Sequence, residues 1–161
     1  MKKTSSKGIV GVSGEYFVAA ELSQRGIVAT LTLKNTPYID ILATNLEKGT
    51  TANIQVKTMS VDNNAGWRLG EKDGLPSNIK NHFYVLVDLH GPGKLPEYII
   101  IPKKVLADFI NKGHAEWLLG KKKDGSSRKN TGVRVFDPNR KVSTRKFAEK
   151  YVNNWSILDL W

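Results

Sequence analysis

Three side chains suited to phosphate-ester chemistry lie close together in the chain: Asp40, Gln55 and Lys57. A hard cation such as Mg²⁺ takes oxygen ligands, usually one or two carboxylates completed by waters and a substrate phosphate. In phosphodiester hydrolysis such an ion neutralises developing charge and activates a water. Asp40 offers a carboxylate, Gln55 an amide oxygen, and Val56 a backbone carbonyl between the two site positions. The Lys57 ammonium would stabilise charge on the transferring phosphoryl group or help deprotonate the water. The same residues also fit a plainer role, in which Asp40 opens a turn while Gln55 and Lys57 line a solvated strand face.

A β-hairpin would have to position them. Tyr38-Ile39-Asp40-Ile41-Leu42-Ala43 is apolar apart from the aspartate, and Asn53-Ile54-Gln55-Val56-Lys57-Thr58-Met59 forms the second arm. Strand side chains alternate faces, so Gln55 and Lys57 share one face and Ile54 and Val56 the other. The polar run Asn45 to Thr50, with Gly49, supplies the turn. Pairing across it brings Asp40 level with Gln55 and Lys57.

Upstream, Ser13 is a candidate N-cap and Gly26 a candidate residue just past a helix C-terminus, which predicts a helix over 14–25. Phe17, Val18 and Leu22 form its expected buried stripe. Glu15 falls in the first turn, where the helix dipole favours a carboxylate without any site being present.

Taken in order, Gly14-Glu15 on a helix, a strand, Asp40 and then Gln55-Val56-Lys57 resemble the PD-(D/E)xK, or restriction-endonuclease-like, nuclease superfamily. Holliday-junction resolvases and methyl-directed restriction nucleases share its αβββαβ core. More closely, the runs Gly14 to Leu22, Asn35 to Ala43 and Ile54 to Thr58 resemble a group of bacterial proteins of unknown function within it; these motifs span roughly the first third of the chain. The resemblance implies an α/β fold with a mixed central sheet flanked by helices, and a metal-dependent endonuclease hydrolysing DNA with Mg²⁺ or Mn²⁺. Glu15 and Asp40 would bind the metal, Gln55 would replace the usual acid, and Lys57 would be the catalytic lysine. Two positions depart from the pattern. Ile39 rather than proline precedes Asp40, and glutamine at 55 removes a negative charge, which puts more weight on Glu15. The alternative is a nuclease fold without catalysis that binds nucleic acid or a protein partner.

The chain of 161 residues suits a single domain with a core over about 13–120 and a basic C-terminal elaboration over about 121–161. Without cysteine there are no disulfides or thiolate metal sites, and His82, His90 and His114 lack ligand-like spacing. Net charge is +10, and it is uneven: 11 Lys/Arg face 9 Asp/Glu up to Ile101, against 14 and 6 from Pro102 onward. A cationic C-terminal third favours a polyphosphate partner, because lysines and arginines release condensed counterions when they meet phosphates. Solubility alone is the plainer explanation. DNA is expected over RNA, and a homodimer would suit the cutting of two strands. The basic start from Met1 to Lys7 is followed only by Ile9-Val10-Gly11-Val12, too short for a signal peptide, and no segment is long enough to span a membrane. A cytoplasmic protein without a membrane partner is expected.

The remaining elements follow from local pattern. Ile27 to Leu33 reads as a strand, broken by Asn35-Thr36-Pro37. The polar stretch 60–81 contains Trp67-Arg68-Leu69, placed to cross a substrate with Trp67 stacked on a base and Arg68 on a phosphate. Alternatively, Trp67 and Leu69 pin the loop to the core. His82 to Leu89 reads as a central strand, and Glu97 to Ile101 as another. Pro102 opens a helix with Val105, Leu106, Phe109 and Ile110 on one face, interrupted at Gly113 and resumed over 115–119. In the loop 121–130, Lys121, Lys122, Lys123, Arg128 and Lys129 are candidate contacts to a nucleic-acid backbone, on a segment mobile in isolation. A short strand, Val133 to Phe136, and a helix, Thr144 to Tyr151, lead to an apolar end from Trp155 to Trp161. That end is expected to pack on the domain or on a second copy.

Overall fold

The computed structural model describes residues 6–33 and 36–161, so Met1 to Ser5 and Asn35 of the expected strand break lie outside the described residues. The fold is α/β: a mixed five-stranded sheet with helices on both faces. Its strands are β1 (Val28–Leu31), β2 (Ile41–Asn45), β3 (Thr50–Met59), β5 (His82–Asp88) and β6 (Glu97–Pro102), in the order β1-β2-β3-β5-β6. Only β3 and β5 run parallel. A separate antiparallel pair joins β4 (Trp67–Gly70) to β7 (Val133–Phe136).

Every residue of β5 from His82 to Val87 is buried, which is why this run takes the interior of the sheet rather than an edge. Its alternate side chains feed two cores. Phe83, Val85 and Val87 join Ile54, Val56 and the helix α1 (Lys7–Gln24); Tyr84 and Leu86 join Leu106 and Ile110 of α2 (Lys103–Leu119). Gln55 and Lys57 stand on the α2 side, in register with Tyr84 and Leu86. No helix among the described residues is long and apolar enough to cross a membrane.

The helix α1 begins seven residues earlier than the Ser13 cap would place it. Ser6 is the N-cap, accepting from the Ile9 N–H, whereas the Ser13 hydroxyl donates to the Val10 carbonyl inside the helix. A serine that bonds back to its own helix has no need to start one. The C-terminal end is where Gly26 puts it: at φ 77 it lets Ile27 N–H return to Leu22 O at 3.0 Å. The buried stripe is Gly14, Val18 and Leu22; Phe17, expected in it, is 36% exposed. The helix seats on its glycine, and that rotation turns Phe17 outward.

α2 runs unbroken through Gly113, whose Cα faces open space, so the glycine lowers helix propensity without ending the helix. The loop after it closes on itself through Lys122 N–H to Ser126 O (2.9 Å) and Gly125 N–H to Lys122 O (3.0 Å). It is a formed turn rather than a free segment. The helix near the C-terminus, α3 (Val142–Ala148), starts before Thr144 and tightens to a 3₁₀ turn over Glu149–Tyr151.

The apolar end packs on its own domain. Trp155, Leu158 and Leu160 are buried in the α1-side core, and Leu160 O accepts from Asn45 Nδ2 (2.9 Å) and Thr50 Oγ1 (3.0 Å). Leu158 is 2% exposed, so Leu158→Ala is expected to cost about 2–5 kcal/mol in a denaturant titration, lost transfer energy and residual cavity together.

Candidate functional site

The hairpin forks at the Ile41–Ile54 pair. Asp40 still donates its N–H to Ile54 O at 2.8 Å, and just before it Tyr38 turns the chain aside at φ 65. Ile54 points its backbone groups at the β2 side, and two residues on Val56 must do the same, beyond the last paired residue. Asp40 covers part of that gap. Its Oδ2 accepts from Val56 N–H at 2.7 Å and from the Gln55 amide. The Val56 carbonyl accepts a 3.5 Å contact from Gln55 Nε2.

Glu15, on α1, lies near enough to feel the charge of Asp40. Gly14 makes this approach possible, since a Cβ there would lie 2.0 Å from Thr58 Oγ1 on β3. The two acids feel each other: burial, then the charge of Asp40, pushes the Glu15 carboxyl above its ordinary range. Asp40 is also pushed up by burial, against the pull of the Val56 N–H, Lys57, Gln55 and Lys72. Burial is the main reason both carboxyls resist ionisation, and Asp40 already faces positive charge from Lys57 and Lys72.

Two carboxylates and the Val56 backbone carbonyl are oxygen donors of the kind a Mg²⁺-sized ion prefers. Among the described residues no group of three or more His, Cys, Asp and Glu side chains is arranged to hold a metal. A donor set this small would suit only an ion that keeps waters and shares a substrate phosphate. Gln55 differs from its expected part: its N–H groups face Asp40, so it orients the carboxylate rather than presenting its oxygen there.

Lys57 completes the cluster. Its side chain is 27% exposed, its charge lowers the Asp40 carboxyl, and its Nζ lies 3.9 Å from Asp73 Oδ1. Asp73 went unnoticed in the sequence because Asp73-Gly74 reads as an ordinary turn. The available cue was Tyr84, a hydroxyl inside an apolar central strand that must find a partner; it donates to Asp73 Oδ1 at 2.7 Å.

The expected nucleic-acid contacts fare differently. Trp67 is 4% exposed, its ring packs on Phe136 and its indole N–H donates to Lys57 O at 3.1 Å, so it is not available to stack on a base. Alternation along β4 leaves Arg68 exposed instead. Lys121, Lys122, Lys123 and Lys129 are exposed, whereas the Arg128 guanidinium donates to Trp117 O at 2.7 Å and lies over its ring. No hydrogen bond or ion pair among the described residues links this loop to Asp40, Gln55 or Lys57.

His82 is buried, at 7% exposure. Its Nε2–H donates to Tyr38 O at 3.0 Å and its Nδ1 accepts from Ser77 Oγ at 2.9 Å, which braces the turn leading into Asp40. Burial, with Lys103 nearby, holds its pKa below the ordinary 6.5. The unfolded chain therefore takes up the proton first. Stability from this group is complete above that value and is lost as pH falls through it toward the lowered one. Between pH 7.5 and about 5.5 the wild type is expected to lose more of its denaturant midpoint than His82→Gln, which cannot charge. Chemical denaturation at both pH values checks this.

The chain matches no protein-family model, no curated protein and no solved structure.

Proposed function

We propose that the protein is a Mg²⁺- or Mn²⁺-dependent endonuclease of the PD-(D/E)xK type, in a Gln-x-Lys variant, hydrolysing DNA phosphodiester bonds. The seat of Asp40 at the β2–β3 fork, bonded by Val56 N–H and the Gln55 amide and near enough to Lys57 and Glu15 for their charges to interact, carries the proposal. When bound, the divalent ion supplies charge neutralisation and an activated water. Asp40 and Glu15 hold it, with the Val56 carbonyl as a further donor, while Gln55 orients Asp40. Lys57 brings positive charge to the phosphoryl group as its own charge develops. Exposed Arg68, Lys121, Lys122, Lys123 and Lys129 meet the nucleic-acid backbone through counterion release, with no reading of bases.

The test is cleavage of supercoiled plasmid and of branched DNA with Mg²⁺ or Mn²⁺. Cutting by the wild type and none by Asp40→Ala supports the proposal; no cutting of any DNA under these conditions overturns it.

One observation favours a second reading. The Gln55 amide already bonds the Asp40 carboxylate, as in a site completed without a metal. A non-catalytic nucleic-acid-binding module would bind DNA in a salt-sensitive manner, without metal and regardless of Asp40. Calorimetric titration of Mn²⁺ into wild type and Asp40→Ala separates the two: heat of binding only in the wild type points to the enzyme.

A further inference from the structure

The excursion between β3 and β5 holds Lys57 at both ends. Trp67 fixes its backbone, the indole N–H donating to Lys57 O at 3.1 Å. At the other end the ammonium faces Asp73, on the 3₁₀ turn Glu71–Gly74, at 3.9 Å. Asp73 is 3% exposed and fastened on every side. Its Oδ1 accepts from Tyr84 OH at 2.7 Å, and its Oδ2 from Gly70 N–H at 2.6 Å. Its backbone carbonyl, with that of Leu75, accepts from Lys103 Nζ at 2.7 and 2.8 Å. Tyr84 and Lys103 are themselves buried, at 0% and 4% exposure. A carboxylate built this rigidly is a fixed reference point, and the flexible group it faces is the Lys57 side chain.

We propose that Asp73 is a positioning residue for Lys57: it selects the ammonium's place on the α2 side of the fork, between its own carboxylate and that of Asp40. A lysine stem has four rotatable bonds and a compact charge, so without an anchor the ammonium samples many positions. Misplacing a catalytic group by about 1 Å can cost on the order of 10²-fold in rate. The proposal rests on Lys57 being the catalytic lysine of the reading above. It also gives the polar stretch 60–81 a task, since Trp67 and Asp73 within it both hold Lys57.

The experiment reads Lys57 directly as well as through activity. In protein labelled with ¹³C at lysine Cε, the Lys57 signal is assigned by its loss in Lys57→Arg. Wild type, Asp73→Asn and Tyr84→Phe are then compared, with thermal unfolding followed for each. The expected result is two resolved ε-methylene proton shifts in the wild type and in Tyr84→Phe, collapsing to one averaged shift in Asp73→Asn. In plasmid cleavage, Asp73→Asn is expected to lower kcat by about 10- to 100-fold with KM for DNA unchanged. Tyr84→Phe disturbs the same hydrogen bond but keeps the carboxylate, so a purely structural Asp73 would make both variants alike. Resolved shifts persisting in Asp73→Asn, or equal collapse in both variants, overturn the proposal. If the wild type cuts no DNA, the nuclease reading fails, while the methylene shifts still decide whether Asp73 orders Lys57.

Discussion

Plasmid cleavage is expected to fall by about 10²- to 10³-fold when Lys57 is replaced by methionine, the loss typical of removing one group that stabilises transition-state charge. Methionine keeps the apolar stem against the sheet and removes only the ammonium. The fold should tolerate the change. The side chain is 27% exposed, and Asp73 keeps its bonds from Tyr84 OH and Gly70 N–H. Unfolding free energy should therefore move by no more than about 1 kcal/mol, the range of partly exposed ion pairs. Asp40→Ala should abolish cutting and also unfold more readily. It strips the acceptor from the Val56 N–H and from the Gln55 amide at once, and an unpaired buried donor costs about 1–3 kcal/mol. Rates with Mn²⁺ beside denaturant curves separate the two variants. A Lys57→Met protein that nicks plasmid at the wild-type rate removes the lysine from the chemistry.

Gly14→Ala carries the second large effect, and it acts through packing. The added Cβ would lie 2.0 Å from Thr58 Oγ1, 2.9 Å from its Cγ2 and 3.0 Å from its Cβ. Thr58 is β-branched and stiff, so the helix must lift from β3 instead. Overpacking of this kind costs about 1–3 kcal/mol. Lifting α1 also carries Glu15 away from Asp40, so cleavage should fall further than the lost stability explains. Thr58→Gly in the same chain vacates the space and should restore part of both. Because the residues touch, the double variant should depart from additivity by about 1 kcal/mol or more. Thermal melts and cleavage rates on the four members of the cycle give the answer. Simple additivity would mean that helix and strand do not meet at Gly14.

The alternation of Gln55 and Lys57 against Ile54 and Val56, the Gly49 turn and the helix stop at Gly26 were all readable in the chain. Each depends on neighbours a few residues apart, where backbone geometry leaves little choice. The approach of Glu15 was suggested only by resemblance; its physical cause is a glycine opposite Thr58, a contact across 44 positions of sequence. Ser13 misleads about the start of α1 for the converse reason, since a serine suited to capping can equally bond back within a helix.

Sidedness of the long polar stretch could not be read locally. Trp67 faces inward because β4 pairs with β7, and Phe136 waits there, from the far end of the chain. Asp73 meets Lys57 only because β5 lies parallel beside β3, bringing Tyr84 level with Gln55 and its hydroxyl up to the turn. Strand neighbours and buried polar partners are settled by which surfaces can leave water together. Local pattern therefore shows which residues could do chemistry, and only the packed sheet decides what holds them in place.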